Sequence, residues 1–324
     1  MNKIMLGSST LQTSSLAFGC ASIAGEWNDK KLSCEQQRQS LKTLEAALGI
    51  GITHFDLADI YCYGKAEKTF AQIWQTDSNL RSQIIIQTKC GVRRHENVPG
   101  TFQYDLSYDN IIKSATGSIE RLGVEYLDLL VLHRPDPLMV PEEVAQAFDK
   151  LTSTGLVRLF GVSNFSPSQI NLLTATIDQP LIVNQLQLSL AHCHLINNEI
   201  AVNDSDPERP IRGYGTLEYC RNQKISVQAW SPLGGGRLAG AVPKNATTSH
   251  RFLRNEMTSI AHNYGVEPTA VAVAWILRHP AKIQPILGGN NSRWLQEAAE
   301  GVKIHLTRDE WYQLFNASRG ASVP

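Results

Sequence analysis

The chain has 324 residues, 30 basic against 30 acidic side chains, with 42% hydrophobic and 19% charged content. That balance is globular and supplies ample material for a core, which excludes disordered and fibrous architectures. Zero net charge likewise excludes the electrostatic footprint of a nucleic-acid binder or of a protein held on an anionic membrane.

In chain order, residues 1–20 carry a single Lys and are interrupted by Gly and polar residues. They lack the apolar stretch of a secretory signal. The densest apolar segment, 270–277, falls far short of the ~20 residues of a membrane span. The six cysteines (20, 34, 62, 90, 193 and 220) form no CxxC pair and read as reduced thiols of a cytoplasmic protein.

Eight short apolar runs recur at 16–19, 54–58, 84–89, 126–133, 157–164, 181–185, 225–230 and 283–288. Runs of this length, rich in Ile, Val and Leu, suit strands buried on both faces of a parallel sheet. Helical patterns fill the gaps. Residues 37–48 stop at Gly49 and Gly51, and 109–122 stop at Gly123. Pro141 and the Ser166-Pro167 pair each open another, with Glu142 and Glu143 in the first turn of the former. Further patterns cover 257–264, 269–277, 292–302 and 307–318.

This alternation predicts one (β/α)8 TIM barrel domain over 1–324, with long loops at 189–213 and 231–251 after strands 6 and 7 and an extra C-terminal helix. A doubly wound sheet would carry a glycine fingerprint after an early strand, and none is present. No Walker-type GKS or GKT occurs. The stretch from Gly161 to Phe165 starts like a nucleophile elbow but ends in Phe.

Strand ends converge at the mouth of such a barrel, so polar groups distant in sequence meet there. Asp56, Tyr61, Lys89 and His133 sit at such ends. Lys is rarely buried without a partner, and Asp56 on the neighbouring strand is a natural counter-ion for Lys89. A tyrosine hydroxyl titrates near pH 10, too high for easy proton donation, and an adjacent ammonium favours the phenolate. Histidine supplies a hydrogen bond to an oxygen that gains negative charge. Together the four suit protonation of a carbonyl oxygen while hydride reaches its carbon.

At these residues the sequence resembles the aldo-keto reductases over essentially its whole length. The segment Phe55-Asp56-Leu57-Ala58-Asp59-Ile60-Tyr61, the strand ends Thr88-Lys89 and Leu132-His133, the Gly161–Phe165 stretch, Asn184-Gln185 and Ala229-Trp230-Ser231-Pro232-Leu233-Gly234 carry the likeness. His133-Arg134-Pro135-Asp136-Pro137 is similar to a bacterial branch. The resemblance implies NAD(P)H-dependent reduction of a small-molecule aldehyde or ketone. Tyr61 would be the general acid, Lys89 its tuner, Asp56 the partner of Lys89, and His133 the group that polarises the carbonyl.

It further implies that Ser163, Asn164 and Gln185 bond the nicotinamide carboxamide while Trp230 stacks on its ring. Ser231, Leu233, Gly234, Gly236 and Arg237 would follow the pyrophosphate, and Gly19, Gly288, Asn290, Arg293 and Glu297 would complete the cofactor contacts. Relatives that use NADPH commonly place an Arg where this chain has Trp294; Arg293 stands one residue early, and Ala298 replaces an Asn. The usual anchors of the 2′-phosphate are thus partly missing, which leaves NADH or dual use open beside NADPH.

Trp27 is expected either to wall the substrate pocket or to pack its loop over the barrel. His192-Cys193-His194 lacks the further ligands of a zinc site, and no metal is expected. Cys20, Cys62 and Cys90 lie near the expected mouth and either fill tight space or, with a thiolate favoured by Lys89, respond to oxidation. Two other classes are kept: a Schiff-base lyase with Lys89 as nucleophile, and a nucleotide-sensing binding partner with little turnover. Nothing in the sequence sets the substrate or the oligomeric state.

Overall fold

The computed structural model describes all residues except 76, 78, 96, 97, 99, 198 and 202–214. The eight apolar runs form parallel strands: β1 (Ala17–Gly19), β2 (His54–Asp56), β3 (Ile85–Cys90), β4 (Leu127–Leu132), β5 (Val157–Ser163), β6 (Leu181–Gln187), β7 (Ser226–Trp230) and β8 (Gln284–Gly288). They close in sequence order, β8 returning to β1 through the Gly288–Gly19 pairing. The reason is visible in β4, where all six residues are buried. Leu130 and Leu132 join the large core under the helices, while the alternating Leu129 and Val131 join a separate cluster with Leu6 and Val183. A strand buried on both faces has no solvent side, and here the outer helices cover one face while closure of the sheet covers the other.

Local chemistry sets the helix boundaries. The first helix, α1 (Cys34–Gly49), and the one after β5, Pro167–Thr174, each start with a Ser–Gln capping box, Ser33 with Gln36 and Ser166 with Gln169. Tyr108–Leu122 stops at Gly123, whose φ of 65° reverses the chain at a conformation that costs glycine little. The last helix, Arg308–Arg319, is capped by Thr307 and Glu310. Among the described residues no helix is long and apolar enough to cross a membrane.

The structure adds elements that the sequence did not announce. A hairpin, Lys3–Met5 with Gln12–Ser14, closes the end of the barrel opposite the mouth, its turn held by Gly7 N–H donating to the Ser226 hydroxyl at the start of β7. A second hairpin, Val92–Arg94 with Phe102–Tyr104, follows β3. Helices Lys65–Phe70 and Thr216–Asn222 occupy gaps after β2 and β6. The helix expected at 257–264 begins at Thr248 under a Thr247 cap, which shortens the long loop after β7. The loop after β6 holds short helical turns at His194–Asn197 and Glu199–Ala201; residues 198 and 202–213 of that insertion lie outside the described residues.

Candidate active site

Barrel closure brings the ends of β2, β3, β4 and the turn after β2 to one mouth. Tyr61 and its neighbours Cys62 and Tyr63 follow β2 in a tight turn, the latter two with positive φ. There the Lys89 ammonium donates to Asp56 Oδ2 at 2.7 Å, to the Leu57 carbonyl at 2.8 Å and to Tyr61 Oη at 2.9 Å. All three ammonium hydrogens are therefore committed. Lys89 is fully buried and Asp56 nearly so. Burial works to lower the Lys89 ammonium, but Asp56 and Tyr61 outweigh it and hold the group above its ordinary value.

This geometry removes the lyase reading. A Schiff base needs a neutral amine with a free lone pair, and Lys89 is a saturated ammonium.

The expected depression of the tyrosine is corrected by the same arrangement. Burial raises the Tyr61 hydroxyl above its ordinary value, and the downward pull of Lys89 does not overcome it. Tyr61 is therefore protonated at neutrality, with the Lys89 ammonium 2.9 Å from its oxygen. His133 is pushed well below its ordinary value by burial, then by Lys89 and Arg134, so it is a neutral imidazole. Its ring meets Tyr61 edge-on at 5.8 Å.

A cleft of about 500 Å³ opens over this cluster. Asp56, Tyr61 and His133 lie at one end; Ser163, Asn164, Gln185 and Trp230 form the adjoining wall. The Ser163 hydroxyl donates to the Gln185 carbonyl at 2.9 Å, and the Trp230 indole donates to Asn164 Oδ1 at 3.1 Å. These bonds fix the indole and the amide of Asn164, whose φ of 64° turns the chain at the strand end. The cleft continues past Gly19, Ser231, Leu233, Gly236 and Gly288 to Trp294, Leu295 and Ala298.

The loop from Ser231 to Gly236 has positive φ at Ser231, Gly234, Gly235 and Gly236 and folds back on itself, the Gly234 and Gly236 N–H groups donating to the Ser231 and Leu233 carbonyls. A side chain at Gly234 would strike the Ala191 Cβ at 2.7 Å, whereas Gly235 and Gly236 face open space. A fixed indole face, side-chain amides and an open glycine loop form a lining that fits an elongated dinucleotide.

Five of the expected cofactor residues, Gly234, Arg237, Asn290, Arg293 and Glu297, do not line the cleft. Arg237 donates back to the Gly234 carbonyl at 3.1 Å. Asn290 accepts from Thr43 Oγ1 at 3.0 Å and from Gln39 at its carbonyl, which ties it to α1. Arg293 pairs with Glu297 at 2.8 Å on the outer face of the helix Ser292–Ala299. Trp294, offset by one residue, takes the cleft side instead.

Trp27 stands edge-on to Tyr61 at 6.2 Å and also meets Tyr63 and Phe102, forming an aromatic rim. Burial pushes the thiols of Cys20, Cys62 and Cys90 upward, against the thiolate that Lys89 was expected to favour. His192 and His194 meet edge-on, and no group of three metal-type ligands gathers among the described residues. Sequence reasoning overlooked Arg134, which borders both the cleft and a polar hollow beside Trp230; its signal was its place directly after His133.

Residues 15–318 match the sequence profile of the aldo/keto reductase family. The chain is 36% identical over 285 residues to a 6-dehydroglucose reductase of Agrobacterium fabrum, covering 86% of this chain and 88% of the relative. It is 35% identical to the oxidoreductase YdhF of Escherichia coli, covering 89% and 90%. The barrel superposes on the glycerol dehydrogenase AKR11B4 of Gluconobacter oxydans with a TM-score of 0.80 at 23% identity, over 97% of this chain and 94% of that one. With its closed eight-stranded barrel and a profile match over nearly its whole length, the chain belongs to the aldo/keto reductase family, enzymes that reduce carbonyl compounds.

Proposed function

We propose that this enzyme reduces a hydroxyl-rich aldehyde to the alcohol with a reduced nicotinamide cofactor, and that Tyr61 supplies the proton. The observation that carries the reading is the Lys89 ammonium shared between Asp56 Oδ2 and Tyr61 Oη inside a buried mouth. The bound cofactor would supply the hydride. Ser163, Asn164, Gln185 and Trp230 would hold its nicotinamide, and the loop from Ser231 to Gly236 its phosphates.

The chain's own groups do the rest. His133, neutral and next to Tyr61, donates a hydrogen bond that draws electron density onto the carbonyl oxygen. Tyr61 gives its proton to that oxygen as the alkoxide forms, and Lys89 stabilises the phenolate that remains. Asp56 keeps Lys89 charged and in line. A barrel that only sensed nucleotide would have no use for an acid held against a buried ammonium.

The substrate class rests on two observations. The name of the Agrobacterium relative specifies an oxidised sugar. The mouth adjoins a polar hollow of about 330 Å³ bordered by Arg134, Gln187, His192, His194 and Glu199, groups that suit several hydroxyls.

The test is oxidation of the reduced cofactor with a panel of sugar aldehydes, simple aldehydes and ketones. Tyr61→Phe is expected to lower kcat by roughly 1,000-fold while cofactor affinity is kept. Turnover by Y61F within a few-fold of the wild type would overturn Tyr61 as the acid. Preference for apolar ketones over sugar aldehydes would overturn the substrate class.

A further inference from the structure

Barrel interiors of this type are filled mainly by branched apolar side chains. Here the layer beneath the mouth is made of glutamines. Gln87 on β3 lies beside Asp56, and Gln185, Gln228 and Gln284 stand in register on β6, β7 and β8; none is more than 2% exposed.

Their hydrogen bonds form one directed chain. The Gln284 amide donates to the Ser14 carbonyl at 2.8 Å, at the closed end of the barrel. A backbone carbonyl only accepts, so Gln284 must turn its own oxygen to Gln228, whose amide donates to it at 2.9 Å. The Gln228 oxygen then faces Gln87 and Gln185, and both amides donate to it, at 2.9 and 3.3 Å. The second hydrogens of those same amides reach Asp56 Oδ1, from Gln87 at 2.5 Å and from Gln185 at 3.0 Å. His54 contacts the Gln87 oxygen at 3.1 Å. Because that oxygen accepts, the His54 nitrogen must carry the proton.

We infer that Gln87, oriented through Gln228 and Gln284 by the Ser14 carbonyl, is a positioning residue for the reaction: it presents one N–H donor to Asp56 Oδ1, so that the other carboxylate oxygen is fixed on Lys89. The inference rests on the reading of Asp56, Lys89 and Tyr61 given above. An amide flip anywhere along the chain would bring two oxygens or two N–H groups together in a dry interior, a costly mismatch. The orientation set at the closed end is thereby transmitted to the reacting end, where Asp56 Oδ1 faces only N–H donors from Gln87 and Gln185.

Gln87→Leu removes both donors at nearly constant volume. Gln284→Leu frees the far end of the chain without touching any reacting group. With Q87L, kcat is expected to fall about 10- to 100-fold, the loss of one hydrogen bond to a charged group, while the dissociation constant for reduced cofactor is kept. The alkaline limb of the kcat profile should move to lower pH, because a misaligned Asp56 no longer holds the proton on Lys89. Q284L should produce the same shift to a lesser extent.

A purely structural role would change only the unfolding midpoint. Wild-type kcat and an unmoved alkaline limb in Q87L would overturn the inference, as would a loss of kcat with an unmoved limb. Tyr61→Phe, measured alongside, separates the two readings. Low activity in Y61F with a normal Q87L defeats the glutamine chain alone, and a fully active Y61F defeats both.

Discussion

The two ends of the cleft are built on opposite physical plans. At the reacting end, the Lys89 side chain is 0% and that of Asp56 4% exposed, and every ammonium hydrogen has an acceptor. At the far end, the Arg293 side chain is 81% exposed and that of Glu297 22%, and the charges satisfy each other away from the cleft. The first arrangement tolerates no change without an unpaired buried charge. The second is a surface that can be altered one residue at a time. On the proposed reading, chemistry is lodged in the dry, saturated part of the molecule, and cofactor discrimination in the wet, exchangeable part.

The largest effect should come from breaking the dry end. Lys89→Met leaves Asp56 as a buried charge without its ion partner, which costs about 3–5 kcal/mol of stability. It also removes the cation beside the departing tyrosine proton, so kcat should fall by roughly 100- to 10,000-fold. Denaturant unfolding and initial rates measure the two losses separately. A Lys89→Met enzyme as stable as the wild type would mean that the pair is not the closed, water-free unit described above.

Changes at the wet end should redistribute affinity rather than abolish catalysis. Trp294 occupies the cleft wall and Arg293 is paired outward, so no described cation stands free at this helix to favour a 2′-phosphate. NADH is therefore expected to serve at least as well as NADPH, and a preference for NADPH of about 100-fold or more would contradict this. Trp294→Arg should tighten NADPH relative to NADH by roughly 10-fold with kcat little changed, as read by equilibrium fluorescence titration.

The same contrast explains what could be read from the sequence. Lys89 and His133 were legible because each ends an apolar run, and Asp56 because it is the one charge inside another, while topology alone brings strand ends together. The glutamine layer left a trace, one Gln within or at the end of each of four runs, but nothing in one dimension distinguishes an inward polar residue from an edge one. Arg293 and Trp294 show another limit. Each residue advances a helix by about 100°, so an offset of one position decides which side chain meets the cleft, and only the structure gives that phase. The hairpin of Lys3–Met5 with Gln12–Ser14 went unseen because three-residue strands carry too little periodicity.

A last effect, on stability rather than on rate or affinity, tests how far the dry region extends below the mouth. Burial pushes the Asp59 carboxyl up to about 7, and Glu67 pushes the same way. Glu67 is itself buried and accepts from Thr88 Oγ1 at 2.7 Å and from Arg121 at 2.6 Å. Between about pH 4 and 7 the unfolded chain has released the Asp59 proton while the folded protein retains it, so rising pH erodes stability across that window. His54 acts in the opposite sense. Burial lowers it from 6.5 to about 4, so the unfolded chain binds a proton that the folded protein refuses, and rising pH adds stability between those values. In the wild type the two contributions largely offset each other. Asp59→Asn removes the erosion and leaves the gain. Its stability should therefore climb relative to the wild type from about pH 4.5 to 6.5, by on the order of 2 kcal/mol, in denaturant unfolding at each pH. Parallel curves for the two proteins would show that water reaches Asp59 and that the dry region ends at Lys89.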